Sequence, residues 1–213
     1  MPGAPAAAPL RHLALGDSYT VGEGVAADAS WPAQLRRQLH RDGIAMAPPR
    51  IVAVTGWTTD ELAAGMEAAS LAPAWDLVTL QIGVNNQYRG RAAATYREEF
   101  AQLLRRAIAL AGDRPARVVV VSIPDWGMTR FAREQGRDGA TIAAELDAYN
   151  ALARAETAQD GARWVDVTAL SRRHADAVVD DGLHPSAAQY AAWVEAIAPA
   201  ARAALRSAAT TAP

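Results

Sequence analysis

Four short stretches hold the side chains from which chemistry could be built: GDSYT at 16–20, TGW at 55–57, GVNN at 83–86 and DGLHPS at 181–186. Ser18 closes an apolar run with a hydroxyl. A free hydroxyl is a poor nucleophile until a base removes its proton, so Ser18 asks for a partner. The chain has no cysteine, and all 21 of its Lys-plus-Arg residues are arginine. Thiolate nucleophiles, Schiff bases and P-loop lysines are thereby excluded. Of four histidines, His12 begins an apolar run and so lies at the wrong end of it. His40 closes a charged helix end among arginines, and His174 lies in the polar run SRRHAD. His184 sits on a short loop before Pro185, a residue suited to opening a helix, and is the best placed base. Asp181 precedes it by three residues, with Gly182 free to fold the turn back so that the carboxylate lies under the imidazole. Acyl transfer further needs donors aimed at a developing oxyanion. The N–H of Ser18, the N–H of Gly56 and the side-chain amide of Asn85 are the candidates.

Those residues are useful only if the chain brings them to one place. Apolar, β-rich runs occur at 11–16, 50–55, 76–82, 116–123 and 162–167, mostly continuous rather than alternating. That pattern fits parallel strands covered on both faces. Helical periodicity fills 30–41, 59–70, 91–111, 139–160 and 186–207. Strict alternation predicts a doubly wound α/β sheet, and in such sheets ligands bind beyond the carboxyl ends of the strands. Ser18, Gly56 and Asn85 follow the first three strands, and the Asp181–His184 pair follows the fifth. Taken singly each has a plain reading: Ser18 a turn or cap, Gly56 a turn glycine, Asn85 and Asn86 a loop. Their meeting at one edge is what points to acyl chemistry.

With those residues in view, GDSYT, Gly56, GVNN and DGLHPS resemble the four signature blocks of the SGNH (GDSL-type) hydrolase superfamily, in that family's order. The resemblance implies a three-layer α/β/α sandwich around a five-stranded, flavodoxin-like parallel sheet. It implies a Ser18–His184–Asp181 triad, an oxyanion hole of Ser18 N–H, Gly56 N–H and Asn85, and esterase or lipase activity with no cofactor or metal. The third block commonly reads G-x-N-D in that family, whereas Asn86 stands in the last position here.

Composition narrows the alternatives. The chain has 213 residues, 51% hydrophobic and 21% charged, with a net charge of −2. No basic field suggests nucleic acid. Residues 10–208 are expected to form one domain, flanked by Ala/Pro-rich tails at 1–9 and 209–213. With no apolar stretch of membrane-spanning length and no signal-peptide pattern, a cytoplasmic protein acting on a small-molecule ester is expected. Thioester hydrolysis or acyl transfer would use the same residues. A non-catalytic module cradling a phosphate or nucleotide on GDSYTVGEG would leave Asp181, His184 and Asn85 idle. The segment 124–138 is the longest irregular stretch near the site, and Trp57, Trp126, Met128 and Phe131 are candidate pocket residues. Oligomeric state and acyl length leave no mark in the sequence.

Overall fold

Short apolar runs bounded by turn residues become strands. The computed structural model describes residues 8–206, and five strands form among them. They are β1 (His12–Gly16), β2 (Arg50–Ala53), β3 (Leu77–Gln81), β4 (Val118–Val121) and β5 (Arg163–Val165). All pair in parallel, in the order β2-β1-β3-β4-β5. Residues of the three central strands are buried throughout, which is why their sequences are mostly apolar, and the polar His12, Thr79 and Gln81 among them have buried hydrogen-bond partners. β2 lies at an edge and opens with the exposed Arg50.

The described helices are α1 (Ser18–Val21), α2 (Trp31–Arg41), α3 (Thr59–Ala68), α4 (Val84–Tyr88), α5 (Ala93–Leu110), α6 (Arg130–Glu134), α7 (Gly139–Gln159), α8 (Thr168–Arg173) and α9 (Ala187–Arg206). α3, α5 and α7 cover one face of the sheet, while α2 and α9 pack together on the other. The result is a three-layer α/β/α sandwich. Tyr96, Phe100, Leu103, Leu104 and Ala107 form the buried stripe of α5, and Tyr190, Trp193, Ile197, Ala201 and Leu205 that of α9.

Local chemistry moves several boundaries from those expected. β2 ends at Ala53 rather than residue 55, because the Trp57 N–H closes a turn on the Val54 carbonyl. β4 starts at Val118, after a 3₁₀ turn at Pro115–Arg117. The 83–86 stretch enters α4 instead of forming a loop, and the 124–138 segment contains α6. Helices this short hold too few turns to display periodicity. Of the two expected tails only residues 8 and 9 are described, and residue 207, the expected end of the last helix, also lies outside. Among the described residues no helix is long and apolar enough to cross a membrane.

Candidate active site

Ser18 is the first residue of α1, directly beyond the carboxyl end of β1. Asp17 caps that helix. Its backbone carbonyl accepts from the N–H groups of Thr20 and Val21, and its Oδ1 accepts from the Tyr19 N–H. The Ser18 N–H is the one that the turn leaves unspent, as expected at a helix start. Gly16 is required for the corner: a Cβ there would lie 2.1 Å from Thr20 Oγ1 and 2.5 Å from the Gln81 carbonyl. Asp17 is buried, and desolvation pushes its carboxyl up to about 7, against the pull of the Tyr19 N–H.

His184 lies on the loop that leads into α9. The Asp181 carboxylate holds it at three points. Oδ1 accepts from the N–H groups of Leu183 (2.8 Å) and His184 (3.0 Å), and Oδ2 lies 2.6 Å from His184 Nδ1. Partial burial alone would raise the Asp181 carboxyl. The hydrogen bonds from the His184 ring and the two N–H groups outweigh it and hold the group below its usual value. Gly182 makes the turn at φ +73°. Arg130 packs on that glycine, and its guanidinium donates to the Asp180 carbonyl at 2.5 Å. The Phe131 N–H donates to Gly182 O, and the Val179 N–H to His184 O. α6 and the 178–185 bridge thus fix the loop from both sides.

Gly56 occupies the third position of the Val54–Trp57 turn, with φ +89°, a conformation that favours glycine there. Its N–H belongs to the middle peptide, which the turn's own hydrogen bond does not use. Asn85 on α4 donates from Nδ2 to Trp57 O at 2.9 Å. An amide has two such hydrogens, so one is still available. Asn86, in the position where an acid was expected by resemblance, is fully buried. Its orientation is fixed by its partner. The Thr59 N–H can only donate, so it meets Oδ1 at 3.1 Å. Nδ2 therefore donates to Thr59 Oγ1 at 2.6 Å, and that hydroxyl passes its own hydrogen to Glu99.

Ser18, Gly56, Asn85 and His184 all line one cavity of about 230 Å³. Asp181 stands behind His184 rather than on the wall. Of the four candidate pocket residues, Trp126 and Phe131 are on the wall; Trp57 and Met128 are not. The Trp57 ring turns instead onto α3, where a Cβ on Gly65 would meet it at 2.2 Å. Met128 points outward, 49% exposed. The wall is completed by Tyr19, Thr55, Val84, Tyr88 and Leu183, which sequence reasoning missed. Val84 and Tyr88 are four residues apart and share a helical face, a spacing that would have shown once α4 was known. Trp126 makes edge contacts with Tyr88 (5.4 Å) and Phe131 (6.1 Å), and its indole N–H is tied to Gln87 Oε1. The one polar group of the Trp126 ring is therefore already paired. Among the described residues no cluster of three or more His, Cys, Asp or Glu could hold a metal ion.

The family model described as GDSL-like Lipase/Acylhydrolase family matches residues 14–192. No curated protein matches the chain. Among solved structures, that of TesA is 22% identical, with a TM-score of 0.71 over 92% of this chain and 99% of its own. The lipase/acylhydrolase from Enterococcus faecalis is 19% identical, with a TM-score of 0.70 over 89% and 94%. The SGNH-hydrolase family esterase AlinE4 is 20% identical, with a TM-score of 0.67 over 93% and 98%.

Proposed function

The chain belongs to the GDSL-like lipase/acylhydrolase family, and from that premise we propose that it cleaves carboxylic esters through an acyl-enzyme formed on Ser18. His184 Nε2 takes the Ser18 proton as Oγ attacks the ester carbonyl. The oxyanion of the tetrahedral adduct accepts from the N–H groups of Ser18 and Gly56 and from Asn85 Nδ2. As the carbon–oxygen bond to the alcohol breaks, the imidazolium returns its proton to the departing alkoxide. Water then repeats the sequence on the acyl-enzyme, and the acid is released with Ser18 restored. Asp181 keeps the Nδ1 hydrogen on its own side of the ring, so that Nε2 is the lone-pair nitrogen.

The observation that carries this reading is the 2.6 Å contact of His184 Nδ1 with Asp181 Oδ2, on a ring that lines the same cavity as Ser18. An oriented imidazole beside a helix-start hydroxyl is the arrangement that activates a serine. The wall formed by Val84, Tyr88, Trp126, Phe131 and Leu183 suits the apolar part of the ester. The cavity is smaller than the roughly 300–1,000 Å³ typical of drug-sized ligands, which favours short acyl or aryl groups. Fluorophosphonate labelling with peptide mapping tests the reading: one modified residue, Ser18, is expected. Label elsewhere, or a Ser18→Ala protein that retains ester hydrolysis, refutes it.

A further inference from the structure

The turn that carries Gly56 has no apolar anchor at its tip, since Val54 and Thr55 are both exposed. It is held by polar contacts from its neighbours. On one side Thr55 Oγ1 donates to the Glu23 carboxylate. On the other, two carbonyls of the turn face α4. Asn85 Nδ2 donates to Trp57 O at 2.9 Å, and Arg89 Nη2 donates to Gly56 O at 2.6 Å. Asn85 and Arg89 are four residues apart, so both side chains leave the same face of the helix. The Arg89 N–H also closes the last turn of α4 on the Asn85 carbonyl. Arg89 Nη1 lies 3.3 Å from Glu61 Oε1, and Glu61 Oε2 accepts from the Thr58 N–H at 2.8 Å. One guanidinium thus spans from the helix that carries one candidate oxyanion donor to the carbonyl of the residue that carries another.

The geometry points to Arg89 as a positioning residue of the oxyanion hole. It holds the Gly56 carbonyl, and with it the Gly56–Trp57 peptide, against α4, which fixes the Cα about which the Thr55–Gly56 peptide turns, so that the Gly56 N–H and the Asn85 amide converge on one point. The proposal rests on the ester-hydrolase reading above. A glycine turn is free to flip its middle peptide, because glycine has access to both signs of φ. Flipping would turn the Gly56 N–H away from the cavity. The charged donor sits on the next carbonyl, that of Gly56; by holding that peptide still it leaves the middle one less room to rotate, and charge-assisted hydrogen bonds are the stronger kind. Arg89 is not on the cavity wall, so it touches the geometry of the hole and not the substrate.

Arg89→Met removes the donor and keeps most of the side chain's bulk. Arg89 is 43% exposed at its side chain, so the variant is expected to fold with an unchanged circular dichroism spectrum. The expected result is a fall in kcat of about 10–100-fold, less than for outright loss of a donor, with KM little changed. Arg89→Lys, which restores a cationic donor but not the fork, is expected to recover part of the loss. Arg105→Met, at an exposed arginine of α5, is the control and is expected to keep wild-type kcat. An unchanged kcat in Arg89→Met overturns the proposal. So does a loss that appears wholly in KM, or one that Arg89→Lys does not relieve at all. Fluorophosphonate labelling of the wild type, run in parallel, separates the two layers. Wild type labelled at Ser18 with Arg89→Met fully active refutes only the role of Arg89, whereas wild type not labelled there refutes the hydrolase reading itself.

Discussion

Replacing Asp17 by asparagine is expected to stabilise the protein, and only above mildly acidic pH. Asp17 is 1% exposed, and its carboxyl is pushed from 3.8 up to about 7 by desolvation. A raised carboxyl pKa means that the native state still holds a proton which the unfolded chain has released. Stability is therefore intact below the unfolded value, falls as pH climbs from about 4 to about 7, and stays low above that. Moving a carboxyl from 3.8 to about 7 corresponds to about 4 kcal/mol, at about 1.36 kcal/mol for each pH unit. Asparagine keeps an oxygen for the Tyr19 N–H and cannot ionise, so the cap survives without the ionic cost. Burial lowers the His12 ring to about 3, and that group penalises the acid side, where the unfolded chain takes a proton that the fold refuses. Its contribution is common to both proteins and cancels in the difference. Urea unfolding of wild type and Asp17→Asn at about pH 4, 6 and 8 reads the effect. The free-energy gap should be near zero at the lowest pH and grow to about 4 kcal/mol at the highest. A gap that does not vary with pH, or one that shrinks as pH rises, refutes the reasoning.

Asn85→Ala should lower kcat by about 10²–10³-fold with KM nearly unchanged, as steady-state kinetics on a p-nitrophenyl ester would show. Asp181→Asn should cost kcat by up to about 10⁴-fold, because the imidazole loses its tautomer guide. Asp180→Asn should cost little, since Asp180 engages Arg130 through its carbonyl and not its carboxylate. Asn86→Asp should destabilise the fold by about 1–3 kcal/mol at neutral pH in chemical denaturation. The Thr59 hydroxyl already donates to Glu99, so a second carboxylate would receive nothing from it in place of the donating Nδ2. Glu99→Gln in the same chain should restore part of the loss, a coupling that a double-mutant cycle measures.

What the sequence made legible follows from what a local rule can decide. Long apolar runs and long amphipathic patterns are decided locally, so the five strands, their parallel arrangement and the five main helices were readable from periodicity. Gly182 was readable as a corner, and the structure supplies the reason, a φ of +73°. The Asp181–His184 contact was readable because three residues and one glycine close that turn without help from elsewhere. The cavity wall was not readable by the same means. Trp57 and Met128 looked like wall residues because they are large and near the motifs. Whether a side chain near a motif turns inward depends on what competes for it. Gly65 on α3 offers the Trp57 ring a flat seat, and no such rule is written at position 57 itself. Tyr88, Val84 and Arg89 were hidden for the complementary reason. They lie on or beside α4, whose five residues are too few to show a helical face. Their partners, the carbonyls of the Gly56 turn and the ring of Trp126, are more than twenty residues away in sequence. A site of this kind is therefore legible where its atoms are joined by short turns, and illegible where one element must be placed before another can be aimed.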